Sequence, residues 1–192
     1  HIGLPKTVLR LNNEEAAVIE MGMNHFGEIE FLSNIAKPTL AVITNVGTSH
    51  IGNLGSRQNI LKAKLEILNG MKEKRIVINN DNDLLHKWYE ENKDNYEIIT
   101  FGIINESDFM AEEVILHENG SSFVCNIEDT KMQIEVPVAG EHYIYNALSA
   151  VAVGKSLGLT DEQIKKGKKN VEIAKKRMEI VNLKDNITLV ND

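Results

Sequence analysis

Short apolar runs alternate with helical periods along the first hundred residues, and that alternation confines the chain to a layered α/β fold. The runs are Ala16-Ala-Val-Ile-Glu20, Leu40-Ala-Val-Ile-Thr44, 75–80 and 97–101. Helical patterns fill 27–36, which Pro38 ends, then 56 to about 70, with Ser56 as the expected N-cap, and 84–93. Strands without polar alternation are buried on both faces, which requires a mostly parallel sheet flanked by helices.

The pattern then changes. Segments 109–117, 122–128 and 132–138 are strand-like and are joined by Glu118-Asn-Gly120 and Glu128-Asp-Thr130, so a small antiparallel meander is expected. Residues 142–157 return to helix, and Thr160 with Gln163 forms a capping box that opens another. Segments 176–183 and 187–190 read as strands of a further unit. The expected division is therefore an α/β domain over 1–175 and the start of another domain over 176–192.

Charge and cysteine usage exclude several classes of function. With 28 Asp and Glu against 21 Lys and Arg, the net charge is −7, so nucleic acid is not an expected partner. Cys125 is the only cysteine; it can form no internal disulfide, lies in a strand-like run, and reads as a buried structural thiol in a cytoplasmic protein. No apolar run approaches the ~20 residues needed to cross a bilayer. The chain opens at His1 in mid-phrase and reads as an excised piece.

Ligands of an open parallel sheet bind beyond the carboxyl ends of its strands. Three expected strand ends here are polar: Glu20, running into Met21-Gly-Met-Asn-His25; Thr44-Asn45, followed by the loop to His50; and Asn79-Asn80-Asp81. A carboxylate and an imidazole beside Gly-rich loops suit a hard metal ion and a phosphate. Glu20 as a helix cap and His50 as a solvated loop residue is the alternative. Lys64 falls on the apolar stripe of its helix, four residues from Ile60 and four from Leu68. It either snorkels to an edge or is held partly desolvated, with a lowered pKa and a reactive neutral amine. Gly154-Lys155-Ser156 imitates the end of a phosphate-binding loop, but Ser149 stands where the loop needs glycine and the segment lies within a helical pattern. It is set aside.

Taken together, these segments resemble the Mur ligases of peptidoglycan synthesis. The phrases are Ile2-Gly-Leu-Pro5, Glu20-Met-Gly-Met-Asn-His-Phe-Gly-Glu-Ile29, Thr44-Asn-Val-Gly-Thr-Ser-His50, Ala63-Lys-Leu-Glu-Ile67 and Val77-Ile-Asn-Asn-Asp81, continued by Gly140-Glu-His-Tyr-Ile-Tyr-Asn-Ala-Leu148 and Lys176-Arg-Met-Glu-Ile180. The resemblance implies an ATP- and Mg2+-dependent amide-bond ligase. ATP phosphorylates a carboxylate of a UDP-MurNAc-peptide, and an amine then attacks the acyl phosphate. The Gly27-Glu-Ile29 phrase points to the branch that joins D-alanyl-D-alanine to a UDP-MurNAc-tripeptide. By motif position, Glu20 and His50 match magnesium ligands and Lys64 the family's carbamylated lysine. Asn146, in the first turn of its helix, matches an adenine contact, and Arg177 and Asp192 match nucleotide contacts. Asn24 and His25, in the loop after Glu20, are expected to meet substrate. A monomer is expected.

Two departures stand out. The family often reads His-Asn-x-x-Asn where this chain has His142-Tyr-Ile-Tyr-Asn146. Its Gly-x-x-Gly-Lys-Thr loop is expected before His1, so residues 1–192 alone are expected to be an inactive scaffold. The rival expectations are another Mur ligase, folylpolyglutamate synthase, or a non-catalytic nucleotide-binding module.

Overall fold

The computed structural model describes residues 2–118, 120–127, 130–169, 179–182 and 188–191. Within them the chain divides into two compact units, 1–158 and 159–192.

The first unit is built on one six-stranded sheet in simple sequential order: β1 (Ala41–Ile43), β2 (Arg75–Asn79), β3 (Glu97–Gly102), β4 (Phe109–His117), β5 (Gly120–Ile127) and β6 (Thr130–Val136). The first four strands are parallel and the last three antiparallel, so the meander continues the parallel sheet through β4 instead of standing apart. This is the mostly parallel α/β architecture expected, with every strand from β1 to β6 within a few residues of its expected position.

Burial explains the parallel half. Ile76 and Ile78 of β2 join Ile60, Ala63, Leu68 and Leu85 in one apolar cluster. Val77, pointing to the opposite face, is also buried, and α6 (Glu141–Ser156) lies against β2, β3 and β4. The cluster side is covered by α2 (Glu28–Ala36), α4 (Arg57–Leu65) and α5 (Asp83–Asn92). Ser56 caps α4, its hydroxyl accepting from Asn59 N–H, and Asn82 caps α5 through Leu85 N–H. The expected helix to about residue 70 is α4 plus a 3-10 turn, Glu66–Gly70. That turn packs so closely on α2 that a Cβ at Gly70 would lie 2.3 Å from the carbonyl of Ser33, so only glycine fits there. Two short helices were not expected: α1 (Gly3–Val8) and α3 (Ile51–Leu54).

One expected strand is absent. Residues 16–20 form no ladder, and Val18 is 98% exposed. The apolar run alone did not decide the matter, because a strand needs a hydrogen-bonded neighbour and cover on its faces. β1 pairs with β2 alone among the described strands, and its Val42 is left 38% exposed. The Gly154-Lys155-Ser156 decoy forms the last turn of α6, inside the helix as read.

In the second unit, α7 (Asp161–Lys169) opens with the expected capping box: Thr160 N–H donates to Gln163 Oε1 at 2.8 Å, and Gln163 N–H to Thr160 Oγ1 at 3.3 Å. β7 (Glu179–Asn182) and β8 (Thr188–Asn191) form an antiparallel ribbon. Among the described residues, no helix is long and apolar enough to cross a membrane.

Candidate functional site

Three loops bear the expected polar residues, each held by its own set of hydrogen bonds, and two of them follow the parallel strands β1 and β2. The first runs from Glu20 to the start of α2. Its turn is fixed by Glu28, whose carboxylate accepts from Asn24 N–H at 2.6 Å and His25 N–H at 3.3 Å, with His25 Nδ1 3.6 Å away. Those amide bonds, the Asn24 one foremost, hold the Glu28 carboxyl below its ordinary range. Asn24 and His25 thus share one turn with exposed side chains. Glu20 itself is exposed and has no hydrogen-bond or ion-pair partner among the described residues.

The second loop follows β1 and carries His50, which stands at φ 66° as the residue before α3. A non-glycine residue in the left-handed region is uncommon and persists only where the surroundings enforce it. Asn53 and Leu54 N–H donate to the His50 carbonyl, and the base of the loop is anchored by Arg57. Its guanidinium donates twice to Val46 O, at 3.2 and 2.9 Å, and clasps both oxygens of Asp83 at the start of α5. Asn82 adds bonds to Asn45 Oδ1 and Val46 O. The loop that bears His50 is therefore latched to α5, while the imidazole stays exposed.

Lys64 lies in the last turn of α4, half-buried between Ile60 and Leu68. Burial pushes its pKa below the ordinary lysine value, and no carboxylate among the described residues pairs with it. By residue type, the expected donors would suit magnesium chemistry. Glu20 offers an uncommitted carboxylate, His50 an uncommitted imidazole, and Lys64 an amine whose neutral form burial favours. No three His, Cys, Asp or Glu side chains gather at metal distance among the described residues.

The third loop was not singled out in the sequence beyond its polar start. Asp81 accepts from the N–H groups of Ile103 (2.6 Å), Ile104 (3.0 Å) and Asn105 (2.7 Å), and from the Tyr145 hydroxyl at 2.9 Å. Burial, reinforced by Asp81, raises the Tyr145 phenol well above its ordinary range. This cluster ties the ends of β2 and β3 to α6, the helix that carries Asn146. Because α6 begins at Glu141, Asn146 lies in its second turn, not the first, and is exposed. Tyr143, at the position where the family often has Asn, stacks on His142 with ring centroids 4.1 Å apart. Arg177 and Asp192 lie outside the described residues. A separate polar cleft of about 480 Å³, lined by Asn80, His86, Glu90, Glu106 and Asp108 among others, holds none of the expected site residues.

Known proteins match this chain in sequence and fold. The family model for the Mur ligase middle domain matches residues 1–154. The UDP-N-acetylmuramoyl-tripeptide–D-alanyl-D-alanine ligase of Bacillus subtilis is 39% identical over 195 residues, covering all of this chain and 41% of that protein. The Escherichia coli protein of the same name is 33% identical, covering the whole chain and 43% of that protein. The crystal structure of MurF from Acinetobacter baumannii superposes with a TM-score of 0.89 at 33% identity, over 99% of this chain and 42% of that one. The chain thus spans about two fifths of the length of these relatives.

Proposed function

This chain belongs to the Mur ligase middle-domain family, and from that membership we propose that it serves as the central, ATP-binding part of a ligase joining D-alanyl-D-alanine to a UDP-MurNAc-tripeptide. The observation that carries the proposal is the 39% identity, across the whole chain, to a Bacillus subtilis protein of that activity. In the proposed reaction the terminal phosphoryl group of ATP passes to a carboxylate of the tripeptide, releasing ADP. The amine of D-alanyl-D-alanine then attacks the acyl phosphate, an amide forms, and inorganic phosphate leaves.

The roles proposed for this chain follow from its own groups. Glu20 and His50 are uncommitted donors that would hold Mg2+, and the metal, when bound, would neutralise phosphate charge. Lys64, with its neutral form favoured by burial, would add carbon dioxide, lose a proton and stand beside them as a carbamate. Asn24 and His25 present their side chains from a turn that Glu28 has already ordered, so substrate would meet a preformed surface. Asn146 would face the nucleotide from α6, and Arg177 and Asp192 belong to the same proposal, as does a domain boundary near residue 175.

The test is a reaction in the intact protein with ATP, Mg2+ and a UDP-MurNAc-tripeptide. ADP release that requires D-alanyl-D-alanine is the expected result. ADP release that instead requires glutamate and a folate acceptor would overturn the reading.

A further inference from the structure

Glu66, two residues past Lys64, opens the 3-10 turn and sends its carboxylate across to another element. Gly27 N–H donates to both of its oxygens at 2.9 Å, and Glu30 N–H to Oε2 at 3.4 Å. Gly27 precedes α2 at φ 82°, where it has no side chain to cap the helix. The first N–H groups of a helix have no internal partner, and its positive end favours an anion. Glu66 supplies that cap from 39 residues away.

Two further contacts make this joint stiff. Ser33 Oγ donates to the carbonyls of Glu30 and Glu66, and Gly70 meets the Ser33 backbone with no room for a Cβ. The clip therefore joins two pieces of the proposed site. On one side is the Glu20–Gly27 loop with Asn24 and His25; on the other is the end of the helix that carries Lys64. The same geometry keeps Glu66 away from the Lys64 charge, because residues two apart on a helix do not face each other. With its oxygens engaged by amides, Glu66 leaves the desolvated amine unpaired.

We propose that Glu66 is a positioning residue, which holds the Glu20–His25 loop in register with Lys64 while leaving the lysine amine free of a carboxylate partner. The inference rests on the proposed ligase reaction. It is tested in the intact protein with Glu66→Ala and Glu66→Gln, by hydrogen exchange and by turnover against magnesium concentration. In Glu66→Ala, exchange over residues 21–30 speeds up while β2 stays protected. The magnesium concentration for half-maximal turnover rises about tenfold, as for groups that orient metal ligands, and KM for the dipeptide stays put. Glu66→Gln keeps an acceptor oxygen and falls between. Turnover with wild-type magnesium dependence in both variants, despite faster exchange at 21–30, would overturn the inference and leave the reaction standing. Should Glu66→Ala lose β2 protection as well, Glu66→Gln decides by the same criterion. A wild-type protein with no dipeptide-dependent ADP release sinks the reaction, and this inference with it.

Discussion

Two carboxylates expected at strand ends are treated in opposite ways. Asp81 accepts three backbone N–H groups and a phenol, whereas Glu20 makes no bond to any described residue. An ionised carboxylate has about four acceptor positions. Four donors engage Asp81, three on Oδ2 and one on Oδ1, so it has little left to offer a ligand and holds β2, β3 and α6 together. At Glu20 all four remain, at the cost of whatever stability a partner would have contributed. In the proposed ligase the contrast would separate structure from chemistry: satisfied groups hold the rim, and unsatisfied ones would be kept for what binds there.

The largest effect expected from this contrast lies with Lys64, the desolvated member of the uncommitted set. In the intact protein Lys64→Ala removes most turnover, a loss on the order of several kcal/mol in transition-state stabilisation. The fold is retained, since alanine is a good helix former and no ion pair is broken. Bicarbonate or a short carboxylic acid restores part of the activity by placing an anion where the carbamate would be. Lys64→Arg is not rescued, because guanidinium stays charged and cannot form a carbamate. Near wild-type turnover in both variants would reduce Lys64 to a lysine whose stem packs and whose head reaches water.

Next in size is a reciprocal pair. Asp81→Ala leaves several loop amides and a phenol without their acceptor, and lowers stability by roughly 2–4 kcal/mol, read from denaturant midpoints. Glu20→Ala changes stability by no more than about 0.5 kcal/mol, as for an exposed, unpartnered position. Turnover ranks the other way: Glu20→Ala is the more damaging to the reaction, when Asp81→Ala is assayed well below its melting temperature. Equal losses of stability from the two variants would break the comparison.

The sheet was legible because its signals are local. The apolar runs at 40–44, 75–80 and 97–101 needed no partner to be read, and Ser56 and Thr160 marked their helix starts through the residues they cap. Residues 16–20 were misread for the same reason: their composition is that of a strand, but pairing is decided by neighbours. The proposed site shows in the sequence only where a polar residue falls in an odd place, as Lys64 does on an apolar stripe, and the role proposed for it comes from the family resemblance. The clips do not show there. Glu66 reaches Gly27 across 39 positions, Arg57 reaches Asp83 across 26, and Asp81 reaches Tyr145 across 64. Nothing in the spacing of single residues announces such contacts. Asn79-Asn80-Asp81 showed as a polar strand end, which gave no hint that its carboxylate was already spent on the loop beside it.

The smallest effect probes the Asp81 cluster from its fourth donor. Tyr145→Phe removes one hydrogen bond of 2.9 Å and leaves Asp81 its three amides, so the expected cost near neutral pH is about 1 kcal/mol. Its pH dependence is more telling than its size. Burial, and then the hydrogen bond and charge of Asp81, raise the phenol's pKa in the folded state above its ordinary value of 10.0. A group raised on folding contributes stability that is fully present below the unfolded pKa and is lost as pH climbs through that value towards the folded one. Wild type therefore loses this contribution only in alkali, beginning near pH 10, whereas Tyr145→Phe has no such proton to lose. Denaturant melts of the two proteins from pH 7 to pH 11 should start apart and converge. A gap that stays constant to pH 11 would mean that neither burial nor Asp81 raises the phenol in the folded state, and that the hydrogen bond contributes without a shifted titration.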